Sequence, residues 1–535
     1  MIDTTSPGAA ADVGADADVL VVGYGPVGQI LSTLLAMYGR RVIVAEQWPK
    51  PFPMPRAVAV DGYAARVLAV TGVAPALAEI GEPTPDYIVE NAAGQTLMRL
   101  DLAAVGRNGW PESTSMYQPG LEAALAARGG QLETLRLMRG HRVVSMAQDG
   151  PVVRVAARDS ESGSCAELTA RWVVGCDGAN STVRESMGVS VKDYGFEIDW
   201  MACDVLPLEE SAFPACTLHI ADPACPRVSV SAGPGHLRFE FLRLADERPE
   251  DFDTPEEAWR RLATFGVDHA NARLERYAVY RIRSGCAEQW RSGRFLIAGD
   301  AAHEMPPFAG QGLSSGIGDA ANLAWKLNAV LSGAAERILD TYGEERRPRV
   351  KGAIDISVRL GRVICTTDPT AAAGRDTAML RSARRPAPGV PDSLASGLLH
   401  RSQAGAVARF AGRLTPLARV ACNGVVAGLD EIAGLGRRYV LLVGGALSTL
   451  VGDTHLADLE RLDVSVVEIV GPGSETPAPA THLAVVDLDD FYLPWLTSLG
   501  NAAGALIRPD FYVFGVGRDR AGLQALVADL RAQLG

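Results

Sequence analysis

This 535-residue sequence predicts an α/β fold, and three observations carry that prediction. Near the amino terminus a short apolar run, Asp18 to Val22, meets a glycine-rich turn and then a stretch with helical apolar spacing. Between about Tyr194 and Arg283 the residues alternate with the period of strands, and from about Gly436 short apolar strands and helices follow one another. The length suits two or three domains, since a single core rarely grows past roughly 250 to 300 residues.

The first element is read from its bounds. Asp18 to Val22, ended by glycine, has the character of a buried parallel strand, and Val27 to Tyr38 that of a helix. Between them lies Gly23-Tyr24-Gly25-Pro26-Val27-Gly28. Gly23 allows a tight bend, Gly25 lets the backbone approach a pyrophosphate, and Gly28 lets helix and strand pack closely. A second strand, Arg41 to Ala45, delivers Glu46, with Gln47 beside it, to the place where a carboxylate accepts a hydrogen bond from a ribose hydroxyl. The unit is Rossmann-like, and an acid at Glu46 favours FAD or NAD over NADP.

Two later segments have the same strand-to-turn character. Arg171 to Gly175 reads as a strand ending in Cys176-Asp177-Gly178, and Asn180-Ser181-Thr182 supplies helix caps before Val183-Arg184. Arg294 to Ala298 reads as a strand that presents Asp300 at its carboxyl end. It continues as His303-Glu304-Met305-Pro306-Pro307-Phe308-Ala309-Gly310-Gln311-Gly312 into a helix from about Leu313 to Leu331. That arrangement aims backbone amides and a positive helix terminus at whatever lies in front of it.

Composition narrows the partners. The formal net charge is -12 and the basic residues are scattered, so neither a nucleic-acid surface nor a polybasic membrane contact is expected. No run reaches the roughly 20 apolar residues of a membrane span, and the first 17 residues lack the basic and apolar regions of a secretory signal and read as a loose tail. Eight cysteines show no C-x-x-C pair, so no metal site is expected and the thiols read as reduced in a cytoplasmic protein.

Together these segments resemble the class A FAD-dependent aromatic hydroxylases with the p-hydroxybenzoate hydroxylase fold. The Gly-Tyr-Gly-Pro-Val-Gly turn and the Met-Pro-Pro-Phe-Ala-Gly-Gln-Gly run point to the 3-(3-hydroxyphenyl)propionate hydroxylase branch. The resemblance implies a discontinuous FAD-binding domain over 18–193 and 284–355, with an inserted antiparallel-sheet substrate domain over 194–283. A helix-rich region over 356–435, broken at Arg385-Pro386-Ala387-Pro388, then leads to a thioredoxin-like domain over 436–535 without a C-x-x-C motif.

The resemblance also implies roles. Glu46 would hold the adenosine ribose, Arg56 and Ala57 would sit beside the flavin, and Gln118 would contact the ribityl chain or pyrophosphate. Asp177 and Gly178 match the family's Asp-Gly fingerprint, Asp300 would accept from a ribityl hydroxyl, and Pro307 to Ser314 would line the isoalloxazine, with the amides of Leu313 and Ser314 facing its pyrimidine oxygen. Relatives commonly carry Asn at Ser314 and Arg at Gly318, so backbone contacts are expected there. The implied reaction is reduction of FAD by NADH or NADPH, addition of dioxygen at flavin C4a, and transfer of one oxygen from the hydroperoxide to a phenolic or similarly electron-rich ring. The same scaffold serves Baeyer-Villiger and epoxidising enzymes acting on polyketide or pyridinol substrates, and the motifs do not separate these.

A phenol reacts faster as its phenolate, so a base or hydrogen-bond network near the ring is expected. His303 is the candidate catalytic residue, with a plain hydrogen-bonding role inside the flavin loop as the alternative. His219, His236, Arg238 and Glu240 are candidate substrate contacts or else ordinary exposed strand residues. The carboxyl-terminal layer is assigned to packing or to contacts in a homo-oligomer.

Overall fold

The computed structural model describes residues 14–51, 56–84, 86–209, 216–382, 393–402, 404–451, 453–474 and 482–535. Most of the amino-terminal tail and the proline-dense break at 385–388 lie outside the described residues.

The first sheet is a parallel core. Its order is Phe295–Ile297, Cys165–Gly175, Ala17–Val22, Val42–Glu46, Leu135–Arg139, all paired in parallel. The near-continuous apolar character of Ala17–Val22 and Val42–Glu46 follows from burial on both faces. The chain steps outward from Ala17–Val22 on one side and returns on the other at Cys165–Gly175. The strand order therefore reverses between those two strands, and the crevice beyond their carboxyl ends is where such sheets bind ligands. The helix Pro26–Met37 packs against this sheet and against the helix Gly312–Leu331.

The second sheet runs His303–Glu304, Ala272–Ala287, Val191–Pro207, Leu237–Leu242, Arg227–Ser231, Thr217–Ala221, Asp86–Asn91, Thr96–Asp101. Two features differ from the sequence reading. The hairpin at 86–101 joins this sheet, although it lies in the stretch read as part of the cofactor layer. The sheet is also covered on both faces, so the expected exposed strand side is missing at Leu237–Leu242, which is buried along its whole length. One face holds Met201, Cys203, Phe239 and Phe241 against the helix Pro255–Leu262. The other face carries Trp200, Ala202, Asp204, Arg238, Glu240 and His219, and it is turned toward the segment around Phe308.

The third sheet contains the carboxyl-terminal strands Tyr439–Val443, Val464–Val470, Leu483–Asp487, Gly504–Ile507 and Val513–Gly517, with a parallel centre and antiparallel edges. It begins earlier than the alternation at 436 suggested. Arg419–Cys422 pairs with Leu483–Asp487, and Val425–Gly428 pairs with Arg419–Cys422. Described residues of 356–435 are thus helical only in part, through Ser382 and again at Leu429–Ala433. The hairpin signal was present as Asn423-Gly424, both with positive φ, which suits a two-residue turn. Cys422 is buried in this sheet.

A buried polar joint ties this layer to the first. Arg508 binds Glu345 and Asp510, and Glu345 also meets Lys326 at 2.8 Å on the helix Gly312–Leu331. Among the described residues no helix is long and apolar enough to cross a membrane.

Candidate active site

The three glycine-bearing segments meet at the strand-order reversal. Gly23 stands at φ +96°, and a Cβ there would lie 2.5 Å from the carbonyl oxygen of Cys176. A Cβ at Gly28 would lie 2.1 Å from the Gly23 carbonyl, so both positions are closed by backbone. At Gly25 a Cβ would meet nothing within 4 Å among the described residues, which leaves the turn open to them on its outer side. Cys176 donates its amide to Val22, and Ala298 donates to Gly175. Val27 fills the remaining gap, resting on Gly299 and Gly316.

Amide donors converge on this crevice. The helix Pro26–Met37 begins at Gly25 and the helix Gly312–Leu331 at Gln311, and neither has a side-chain cap. Uncapped first-turn N–H groups attract anionic or carbonyl ligand atoms. Gly312 and Leu313 are half-buried at the second of these ends. Ser314 points elsewhere, with its hydroxyl accepting from the Asp61 amide at 3.0 Å.

The acidic and amide side chains surround the same opening. Glu46 accepts from the amides of Tyr24 at 2.6 Å and Trp48 at 2.8 Å, while Gln47 is exposed. Gln118 Oε1 accepts from the amides of Arg56 and Ala57, which fixes that loop over the crevice. Arg56 in turn lies 3.4 Å from Asp300, and both side chains remain substantially exposed. Asp177 accepts from the Ser181 hydroxyl at 2.5 Å and the Val183 amide, and burial raises its carboxyl above the usual range. Gly178 follows it half-buried, while Pro307 and Gly310 are exposed on the far rim. Phe308 is turned inward, 2 % exposed.

His303 is sequestered. It is buried, and its Nε2 meets Asp319 at 2.6 Å while its ring lies against Trp290. Asp319, fully buried, also accepts from the Gly299 amide and from Arg346 Nε at 2.8 Å. Burial alone would raise the Asp319 carboxyl, but His303 and Arg346 hold it below its usual value. Arg346 occupies the space beside Gly318, where a Cβ would be 2.7 Å from its Nη2. A small residue at 318 is therefore what admits this cation. Sequence reading gave no role to Asp319 or Arg346, nor to Arg184, which joins two segments by donating to Ala301 and Ala179. A charged residue in the apolar stretch 317–327 was the available signal for Asp319.

The four sheet candidates divide. His219, Arg238 and Glu240 are buried on the face toward Phe308 and are not ordinary exposed strand positions, because the segments around Arg56 and Phe308 cover this face. His236 lies in the turn before Leu237–Leu242, stacked on Tyr117 at 4.0 Å. Arg238 binds Asp204 and donates to the Arg56 carbonyl at 2.7 Å, so it links the sheet to the loop over the crevice. Trp200 donates its indole N–H to Glu240 at 2.8 Å, and burial raises the Glu240 carboxyl despite Arg238 nearby.

A parallel sheet whose strand order reverses at a glycine-closed turn, with two uncapped helix ends beside it, defines a dinucleotide-binding α/β protein. Residues 16–357 match the FAD binding domain family, and 412–533 match the HcaD C-terminal domain. The chain belongs to that FAD-binding family and is an FAD-dependent aromatic hydroxylase. It is 37% identical over 520 residues to a probable NADH-specific resorcinol 4-hydroxylase of Rhodococcus jostii (strain RHA1), covering 96% of this chain and 94% of that protein. It is 36% identical over 378 residues to a 3-(3-hydroxy-phenyl)propionate/3-hydroxycinnamic acid hydroxylase of Mycobacterium avium (strain 104), covering 69% of this chain and 64% of that protein. Its fold matches the flavin-dependent monooxygenase PieE, in complex with FAD and substrate, with a TM-score of 0.80 at 21% identity over 97% of this chain and 99% of that one.

Proposed function

We propose that this enzyme hydroxylates a small phenolic ring of the resorcinol type, with NADH as the electron donor. The observation that carries the reading is the sheet face at Trp200, Glu240 and His219, buried directly against Phe308 beside the cofactor crevice. The whole-length relative supports the substrate type and the choice of NADH.

The residues present fit FAD. The open outer side of Gly25 and the two uncapped helix ends would hold its phosphates and pyrimidine edge, Glu46 its ribose, and Asp300 its ribityl chain. When bound and reduced, FAD supplies the activation of dioxygen. The chain's own part is positioning. Gln118 and Arg238 pin the Arg56–Ala57 backbone, Asp319 pins Gly299, and the aromatic walls of Tyr87, Trp200 and Phe308 exclude water from the ring.

The architecture follows the same reading. The parallel sheet with the helix Gly312–Leu331 is the FAD-binding layer, and the second sheet, with the 86–101 hairpin, is the substrate layer. The third is a thioredoxin-like layer without a dithiol, serving packing or subunit contact.

Purified holoenzyme given NADH and resorcinol is expected to oxidise NADH faster than without resorcinol, with a product heavier by one oxygen, and to prefer NADH to NADPH. A colourless protein, or one that forms no oxygenated product from any phenol, would overturn the reading.

A further inference from the structure

Among the described residues, the substrate face of the second sheet holds a buried group with nothing to bond to. Both ring nitrogens of His219 are out of solvent and neither has a hydrogen-bond partner among the described residues, in a residue only 3 % exposed. Buried polar atoms are nearly always paired, and an unpaired one carries its full desolvation cost. A neutral imidazole has one acceptor nitrogen and one N–H donor to satisfy.

The neighbours show what is missing. Tyr87 flanks the imidazole with ring centroids 4.6 Å apart, but its hydroxyl is already given to the Phe308 carbonyl at 2.8 Å. Phe308 lies 6.3 Å from His219 and 5.2 Å from Trp200, so one aromatic wall spans both. His219 is paired with Val228, and Val228 with Glu240. The histidine and the Glu240–Trp200 pair therefore stand on one face two strands apart, about 10 Å between backbones at ordinary strand spacing. That span suits a single ring carrying oxygens at two positions.

Charge on this face selects among such rings. Its two arginines, Arg238 and Arg276, are both committed to Asp204, and Arg238 also donates to the Arg56 carbonyl. Glu240 adds an acidic group. Two guanidiniums against Asp204 and Glu240 leave no net positive charge, so a substrate carboxylate brought here would find no uncommitted cation. Burial pushes His219 down to about 3, so at neutral pH the imidazole is an uncharged acceptor.

We propose that His219 accepts a hydrogen bond from a ring hydroxyl of a neutral dihydroxybenzene, and that with Glu240 it makes this face select uncharged hydroxylated rings over rings with a carboxylate side chain. The inference rests on the hydroxylase reading above and adds the residue and the charge rule that set specificity.

The test uses wild-type holoenzyme with His219→Phe and His219→Gln. The probes are resorcinol and 3-(3-hydroxyphenyl)propionate, followed by flavin absorbance titration and by oxygenated product. Wild type is expected to bind resorcinol at least tenfold more tightly than the acid. His219→Phe should lose at least tenfold in resorcinol affinity while keeping its FAD and its thermal midpoint, because an apolar ring replaces atoms that had no partner. His219→Gln, which keeps an acceptor, should recover part of the affinity. Resorcinol affinity in His219→Phe within twofold of wild type would overturn the proposal. So would equal binding of the acid by wild type, or loss of FAD and a lowered midpoint in His219→Phe, which would show the imidazole to be a structural partner. Each of these failures leaves a working hydroxylase, whereas absence of product from every phenol in wild type defeats the hydroxylase reading itself.

Discussion

Replacing Asp319 with Asn probes the support beneath the cofactor crevice. The carboxylate serves three donors at once, the Gly299 amide, His303 Nε2 and Arg346 Nε. An Asn has one acceptor oxygen, and its NH2 would face a second donor. Arg346 would then sit fully buried with the Ser315 carbonyl as its remaining oxygen partner among these contacts. Breaking a buried ion pair from one side costs about 3 to 5 kcal/mol. In a domain of this size that corresponds to a drop on the order of 10 °C in the first thermal transition. Because Asp319 fixes Gly299, next to Asp300, FAD content should fall with it, read as the ratio of flavin to protein absorbance. The double variant Asp319→Asn, Arg346→Met removes the stranded cation and should be more stable than Asp319→Asn alone, a non-additivity that isolates the pair. An Asp319→Asn enzyme with full flavin and an unchanged midpoint would refute the reasoning.

The other predictions concern the glycine turn and acid stability. Gly23→Ala forces a side chain into positive φ, at about 1 to 2 kcal/mol, and drives its Cβ to 2.5 Å from a backbone carbonyl; the variant should purify largely without FAD, and full flavin content would contradict the role of the turn. Folded His219 titrates at about 3 against an ordinary value of 6.5, so the unfolded chain takes up the proton first and stability falls as pH drops below 6.5, levelling near 3. By pH 5 the loss is about 2 kcal/mol, and His219→Phe should remove that part of the slope between urea midpoints at pH 7.5 and 5; identical slopes would count against a neutral buried imidazole.

The parts of this fold that were legible in sequence are those fixed over short range. The run from Asp18 to Gly28 states its strand, turn and helix within eleven positions, because only glycine tolerates the Gly23 backbone and the Gly23–Gly28 approach. The same holds for Asp300, delivered by the strand just before it. What was not legible depends on distant pairing. Nothing near Asp86–Asn91 says that its partner is Thr217–Ala221, some 130 residues away. Arg238 and Glu240 look like solvent-side residues of an amphipathic strand, and only docking of the Arg56 and Phe308 loops buries them. Asp319 reads as an anomaly in an apolar helix until Arg346, one helix later, supplies its partner.

The second sheet shows why chemistry and stability can vary separately in this enzyme. Strand side chains alternate faces, so Met201, Cys203, Phe239 and Phe241 face the covering helix while Trp200, Ala202, Arg238 and Glu240 lie on the face toward Phe308. A change at Met201, Cys203, Phe239 or Phe241 opens a cavity in an apolar core and is felt as lost folding energy. A change at Ala202 or Glu240 reaches the face toward Phe308 and leaves that core intact, whereas Trp200 is itself part of the main apolar core. Arg238 is the exception, since it also holds the Arg56 backbone, and its loss would move the cofactor loop along with the substrate face. Substrate range should therefore shift most freely at Ala202, which lies on that face outside the apolar cores, whereas His219 also packs against Tyr87 and Phe308.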